Sequence, residues 1–250
     1  MNQPLKGRVA LVTGGARDVG KAISLGLAAQ GAAVVVNYHR SGTEAEAVAA
    51  EIRQAGGQAM AIGCDISNRQ DVQAMVDRTV AQWGGLNILI NNAGLVYRKR
   101  FAETTPEEWK QQIDVCLYGA LNCSHAAWPH LEAQKGQGRI ISIMGDSSRV
   151  GESGLAIGAA ARAGTIALMK TLARETRSST TCNSISLGLI ETAHDPAFIE
   201  ANRERLVKLY PLRRLGQAHD VEPMVTLLAS DQGSWITGQT LSVSGGYCMV

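Results

Sequence analysis

The chain has 250 residues, 45% hydrophobic and 18% charged, with a formal net charge of +2. That length suits one well-buried domain, and its interspersed charges leave neither a basic stripe for nucleic acid nor an acidic tail. No apolar run reaches the roughly 18 residues of a membrane span and no apolar leader precedes the first strand, so a cytoplasmic protein without membrane contact is expected.

Taken in order, Arg8 to Thr13 reads as an apolar, β-branched strand, followed by a glycine turn (Gly14 to Gly20) and helical spacing from Lys21 to Gln30. Ala33 to Asn37 is a second strand. Thr43 to Ala55 is an Ala/Glu-rich helix closed by Gly56 and Gly57. A strand over Gln58–Asp65, a helix over Arg69–Trp83 and a fourth strand over Leu86–Asn91 follow. Pro106 opens a long helix running to Glu132. Arg139–Met144 is the fifth strand, Ser153–Arg177 a second long helix and Thr181–Leu187 the sixth strand. Helices over Pro196–Leu209 and Asp220–Ser230 precede a last strand, Gln239–Val243. Apolar strands alternating with helices predict an α/β fold: a parallel, doubly wound sheet between two helical layers, in one domain. Ligands in such folds bind at the carboxyl ends of the strands. The five cysteines (Cys64, Cys116, Cys123, Cys182, Cys248) form no CxxC pair and read as reduced thiols, with no disulfide or metal site expected.

A glycine turn between a first strand and a helix is a phosphate site in physical terms. Its N–H groups point outward, the helix dipole favours an anion, and missing side chains permit close approach. Here it reads Thr13-Gly14-Gly15-Ala16-Arg17-Asp18-Val19-Gly20. It resembles the TGxxxGxG turn of the short-chain dehydrogenase/reductase family. Asn91-Asn92-Ala93-Gly94 is similar to that family's NNAG motif, Asp65-Ile66 to its adenine-contacting pair, Asn183–Thr192 to its N-x-x-x-P-G-x-x-x-T segment, and Thr237-Gly238 with Gly245-Gly246 to its C-terminal signature. The resemblance runs from about Arg8 to the end. It implies a seven-stranded Rossmann-type sheet, a dinucleotide-binding half over 8–145, and a second half over 146–250 with a variable lid at about 195–215. It places Gly14, Ala16, Arg17, Asp18, Val19, Asn37, His39, Arg40, Asp65, Ile66, Asn92, Ala93, Gly94, Ile143, Arg162 and Ile190 at cofactor-binding positions.

Asn37 stands where an NAD-selective site carries Asp or Glu, and Arg17, His39 and Arg40 are cations suited to a 2′-phosphate, so NADP is favoured over NAD. Asp18 stands at the turn's second glycine. A carboxylate beside a pyrophosphate predicts weak or absent binding, and its own side chain could serve as N-cap in the ligand's place.

The same resemblance locates the family's Asn-Ser-Tyr-Lys catalytic set. Arg162-Ala163-Gly164 corresponds to K-A-G, which puts the tyrosine position at Gly158. The strand ending near Ile143 puts the serine at Gly145, and Asp114-Val115-Cys116-Leu117-Tyr118-Gly119 puts the asparagine at Cys116. All four positions, Cys116, Gly145, Gly158 and Arg162, are changed. Arg162 keeps charge without the compact ammonium. Leu187 and Ser244 depart from the family's proline and aspartate. Asp146, Ser147, Ser148, Glu152, Tyr97 and His194 are candidate replacement acids.

Three functions are compatible with this pattern. The first is a non-catalytic subunit that forms homo- or hetero-oligomers with family members through the helices 106–132 and 153–177, the second of which carries a small-residue face (Gly154, Gly158, Ala159, Ala161, Ala163). The second is an NADP-linked oxidoreductase with a different proton donor, and the third a non-redox ligand-binding protein. The loop Asp146–Ile157 resembles the branch that oxidises alicyclic and aromatic β-hydroxyacyl-CoA thioesters more than the fatty-acid-synthesis branch, which implies that the active partner or the ancestor handled acyl thioesters.

Overall fold

The apolar runs form seven strands: β1 (Val9–Val12), β2 (Ala33–Tyr38), β3 (Gln58–Gly63), β4 (Ile88–Asn91), β5 (Arg139–Gly145), β6 (Thr181–Leu187) and β7 (Thr240–Val243). A computed structural model describes residues 3–192 and 196–250. The strands pair in parallel in the order β3-β2-β1-β4-β5-β6-β7, so the crossover from β3 back to β4 beside β1 reverses the winding direction. Side chains alternate between two cores. Val34 and Val36 face one with Ile23, Val48 and Val225, while Val35 and Leu11 face the other with Val72, Cys123 and Met169. The central strands are therefore buried on both faces, which is why β1, β2 and β4 are almost wholly apolar, while the edge strands β3 and β7 are partly exposed. The sequence-defined halves 8–145 and 146–250 contribute to this one continuous sheet.

Helices α1 (Asp18–Ala29), α2 (Gly42–Gln54) and α3 (Arg69–Trp83) connect the first four strands. The Asn68 side chain caps α3 by accepting from the amides of Gln70 and Asp71, and Gly84 (φ 78°) ends it. The predicted long helix from Pro106 is not continuous. It consists of α4 (Pro106–Ile113), started by a Thr105/Glu108 capping box, then a π-helical segment over Asp114–Tyr118, then α5 (Gly119–Glu132). The extra residue of the π turn lets Cys116 point inward, with Thr165 Oγ1 donating to its carbonyl at 3.1 Å. A one-turn helix, α6 (Ser147–Val150), follows β5. The second long helix, α7 (Ala156–Glu175), starts three residues later than expected, because Gly151 (φ 74°) and Gly154 (φ 85°) hold a left-handed backbone before it. α8 (Pro196–Lys208) and α9 (Ala218–Ala229) complete the layers. No helix among the described residues is long and apolar enough to cross a membrane.

Glu132, at the end of α5, ties the two long helices together at the sheet's amino edge. It accepts from Thr176 Oγ1 (2.8 Å), Arg177 N (2.8 Å) and Ser178 Oγ (2.7 Å). Burial pushes its carboxyl up, but the donors of Thr180, Arg177, Ser178 and Thr176 outweigh this and hold it at about 2. The folded value lies below the ordinary ~4.3 of an unfolded glutamate. Its stabilisation is therefore complete above about pH 5 and is lost as pH falls toward 2. Glu132→Gln should cost roughly 1–2 kcal/mol at pH 7, after discounting for partial exposure, and almost nothing near pH 2. Urea unfolding of both proteins across that range measures it; a constant difference would contradict it.

Candidate active site

The strands end together at the carboxyl edge, and β1 runs straight into the glycine turn. Gly14 (φ 60°) passes so close to the β4 loop that a Cβ there would lie 3.1 Å from Ala93 Cα. The Asn92 side chain binds the turn by donating to the carbonyls of Thr13 (2.9 Å) and Gly14 (3.1 Å). Thr13 Oγ1 returns the contact, accepting from the amides of Asn92 (2.9 Å) and Ala93 (3.1 Å). Thr13-Gly14 and Asn92-Ala93 are thus one unit. Ala16 and Val19 are buried beneath the turn, while Arg17 is exposed.

Asp18 differs from expectation. The N-cap of α1 is Arg17, whose side chain makes no capping bond, and Asp18 is the first helical residue with φ 49°. This left-handed backbone is the reason a glycine suits the position, and a non-glycine residue there costs on the order of 1 kcal/mol.

The adenosine end is laid out by β2 and β3. Strand β2 continues one residue past Asn37, to Tyr38. Asn37 is buried. Its Oδ1 accepts from Gly14 N (3.3 Å) and its Nδ2 donates to Ile62 O (3.2 Å), so the side chain braces the glycine turn. His39 and Arg40 are exposed beside it, with His39 Nε2 3.7 Å from Asp65 Oδ2. Burial pushes the Asp65 carboxyl up, but its bonds from Ser67, with His39 and Arg40 nearby, bring it below the ordinary value. Ile66 is buried and packs against Gly119.

The four positions that the sequence motifs match to a catalytic set, Cys116, Gly145, Gly158 and Arg162, lie together near the carboxyl ends of β4, β5 and β6. Gly145, Gly158 and Arg162 line a cavity of about 140 Å³. Cys116, Ile143 and Arg162 border a small void of about 10 Å³ behind it. Cys116 is buried, and its Sγ exchanges contacts with the Leu95 backbone, donating to O at 3.3 Å and accepting from N at 3.4 Å. The Arg162 guanidinium lies against Gly94, where a Cβ would collide with Nη2. Neither Gly145 nor Gly158 has a left-handed backbone. A Cβ at Gly145 would lie 3.4 Å from Ser147 Oγ and 3.7 Å from Arg162 Nη1, and one at Gly158 would lie 3.4 Å from Gln112 Oε1.

Among the candidate replacement acids, Asp146, Ser147 and Glu152 line the cavity. Asp146 is buried, with Ser186 Oγ donating to its Oδ1 at 2.5 Å, and Glu152 pairs with Arg98 at 2.9 Å. Ser148 Oγ donates to Gly145 O at 2.6 Å, and Tyr97 donates to Gln111 Oε1 at 2.8 Å away from the cavity. His194, like Asp195 at the start of the expected lid, lies outside the described residues. The rest of that lid does reach the cavity, through Leu206, Leu209 and Tyr210. Ile190 forms a parallel bridge with Gly216 at the lid's base.

Two residues were missed in the sequence. Tyr210 and Tyr247 both line the cavity, stacked with ring centroids 5.3 Å apart. The Tyr210 hydroxyl accepts from Leu189 N at 2.8 Å. Burial raises the Tyr247 phenol, and the Glu152 and Asp146 carboxylates raise it further, so it stays protonated across the neutral range. The aromatic residue just after Gly245-Gly246 was the available signal. A wider groove of about 750 Å³, between Trp128, Pro129, Glu175 and Arg177, lies at the far ends of α5 and α7 and shares none of these residues.

A family model described as enoyl-(acyl carrier protein) reductase matches residues 14–248. The 3-oxoacyl-[acyl-carrier-protein] reductase FabG of Staphylococcus aureus is 38% identical over 241 residues, covering 96% of this chain and 98% of its own. The corresponding reductase of Synechocystis is 38% identical over 247 residues, 98% of each chain. Among solved structures, a blue fluorescent protein from a metagenomic library in complex with NADPH superposes with a TM-score of 0.93 at 31% identity, covering 99% of this chain and 100% of that one. A short-chain dehydrogenase/reductase from Serratia marcescens superposes with a TM-score of 0.92 at 34% identity, covering 98% and 99%.

Proposed function

The chain belongs to the short-chain dehydrogenase/reductase family, and from that premise we propose that it is a non-catalytic, cytoplasmic subunit assembling with an active member that handles acyl thioesters. The observation carrying this is the content of the cleft. The positions aligned with the family's asparagine, serine, tyrosine and lysine are Cys116, Gly145, Gly158 and Arg162, and the last three line one cavity. The fold does not ask for glycine at either site. Both glycines have an ordinary backbone and room for a Cβ, and Gly158 within α7 forgoes up to about 1 kcal/mol of helix propensity relative to alanine. Relaxed selection on chemistry accounts for glycines that neither backbone nor packing requires. The acyl-thioester class comes from the reductases of Staphylococcus aureus and Synechocystis, whose names specify 3-oxoacyl-[acyl-carrier-protein].

The assembly surface proposed here differs from the small-residue face read in the sequence. Gly154 precedes α7, and Gly158 and Ala161 point inward. The outward stripe is instead Ala156, Ala160, Ala163 and Ala167, beside exposed Tyr118, Leu121, His125 and Pro129 of the π segment and α5. Small side chains on one helix and larger ones on the neighbouring helix suit close pairing. Affinity purification of the tagged chain from its native host tests the assembly. An intact family member should co-purify in fixed stoichiometry, and purification as a monomer would refute it.

A second function is favoured by one observation. Tyr247 places a neutral phenol in the cavity that Gly158 vacated, and could act as proton donor in an NADP-linked reduction.

NADP fits the intact turn. Gly14 and the amides around it would hold the pyrophosphate, Arg17, His39 and Arg40 the adenosine phosphate, and the group would supply a hydride. Asp18 opposes it by charge and by backbone strain. Asp18→Gly is expected to tighten NADPH binding about 5- to 10-fold and raise the melting temperature by roughly 2–4 °C. Calorimetric titration and thermal melts of both proteins check this; tight binding by the natural chain, unchanged by the substitution, would overturn it.

A further inference from the structure

In the cavity left open at Gly145 and Gly158, Arg162 is the charged side chain with neither a hydrogen bond nor an ion pair among the described residues. Four charged side chains line it: Arg98, Asp146, Glu152 and Arg162. Arg98 and Glu152 pair at 2.9 Å, and the Arg98 guanidinium also lies 5.0 Å from the Phe198 ring centroid. Asp146 is folded into the wall, 3% exposed, with Ser186 Oγ at 2.5 Å from Oδ1. Its other oxygen, Oδ2, is buried and accepts no hydrogen bond, and no ion pair joins the carboxylate to Arg162. Arg162 is partly buried and makes no hydrogen bond or ion pair among the described residues. The uncharged lining combines aliphatic side chains, among them Leu155, Leu187 and Leu206, with Ser147, Tyr210 and Tyr247. A guanidinium facing a partly apolar cavity gains most from a planar anion that it can grip with two parallel N–H bonds, which is a carboxylate. The volume, about 140 Å³, is well below the roughly 300–1,000 Å³ of pockets for drug-sized ligands, so the ligand is compact. Asp146 and Glu152 in the same wall make a second anionic group on the ligand unfavourable.

We propose that this cavity binds a short-chain aliphatic monocarboxylate, its carboxylate on Arg162 and its alkyl chain against Leu155, Leu187 and Leu206. The site is independent of whether the chain retains turnover, because it needs neither a hydride nor a proton donor.

The test is calorimetric titration of the full-length, nucleotide-free protein with butyrate, with isosteric butyramide as the uncharged control and succinate as the dianion. Butyrate should bind at least about 10-fold more tightly than either. Arg162→Gln should remove that preference while leaving butyramide unaffected, and Arg162→Lys, which keeps the charge but loses the fork, should retain part of it. Arg98→Gln, which leaves the Glu152 carboxylate in the wall without its partner, should weaken butyrate binding less than Arg162→Gln does. Circular dichroism confirms that each variant is folded. Butyrate and butyramide binding alike, no butyrate binding up to tens of millimolar, or a loss that follows Arg98 and spares Arg162 would each overturn the proposal.

Discussion

Supplied with NADPH and a β-ketoacyl thioester, the purified natural chain is expected to turn over at least about 10⁴-fold more slowly than an ordinary reductase working at roughly 1 s⁻¹ or faster. Hydride addition to a ketone leaves an alkoxide. A placed proton donor is worth about 10²- to 10⁴-fold, and a donor polarising the carbonyl about 10²- to 10³-fold more. Gly158 and Gly145 supply neither, and Cys116, held by the Leu95 backbone, offers only a weak thiol donor behind them. Restoring one residue should achieve little, because groups acting as a unit are strongly non-additive. Cys116→Asn, Gly145→Ser, Gly158→Tyr and Arg162→Lys together, with Asp18→Gly, should recover measurable turnover. A Cβ is accommodated at both glycines: at Gly145 it meets only Ser147 Oγ and Arg162 Nη1, and at Gly158 the nearest atom is the end of the Gln112 side chain. A steady-state assay reads the outcome. Turnover near 1 s⁻¹ by the natural chain would refute the non-catalytic function and point to Tyr247. Tyr247→Phe is then the first substitution to make, ahead of Asp146→Asn, and Tyr97, hydrogen-bonded to Gln111 outside the cavity, drops from consideration.

The sheet was legible because its central strands are buried on both faces, so that runs such as Val34-Val35-Val36 carry no polar interruption. The ends of helices were legible where a side chain or glycine marks them, as Asn68 and Gly84 do for α3. The break at Asp114–Tyr118 was not, because a π turn leaves the apolar spacing on both sides helical and is specified by tertiary contacts, here Thr165 and Leu95 around Cys116. Flanking motifs were enough to single out Cys116, Gly145, Gly158 and Arg162, which border adjoining cavities. Their surroundings could not be found in this way, since Tyr210 and Tyr247 reach the cavity from segments distant in sequence. Asn37 shows the same limit. That its buried amide also braces Gly14 depends on the fold and not on its identity. The inward turn of Gly158 and Ala161 likewise depends on which face α7 lays on the sheet, and a helix with small residues all round does not declare that.

Not all the glycines of this chain are dispensable, and Gly20→Ala is expected to do what the substitutions at Gly145 and Gly158 do not: destabilise the protein by about 3 kcal/mol and abolish NADPH binding. Gly20 sits in the first turn of α1, directly under the strand-to-helix turn. A Cβ there would collide with the carbonyl oxygen of Gly14 and lie 2.7 Å from Asn92 Nδ2. The first of these is backbone, so no side-chain rotation can relieve the overlap. Either α1 moves away from β1, opening the core around Val19 and Ile23, or the Gly14 carbonyl turns and gives up the bond it accepts from Asn92 at 3.1 Å. Both responses separate the glycine turn from Asn92-Ala93 and misplace the amides that face the pyrophosphate. The expected signature is a melting temperature lower by roughly 6–12 °C and, in the tighter-binding Asp18→Gly background, a flattened NADPH isotherm. Gly145→Ala, at the same edge of the sheet but with its nearest contact at 3.4 Å, should melt within about 2 °C of the natural chain. If Gly20→Ala melts and binds like the natural protein, the turn is looser than these contacts imply, and the cradle cannot be what fixes the cofactor's phosphates.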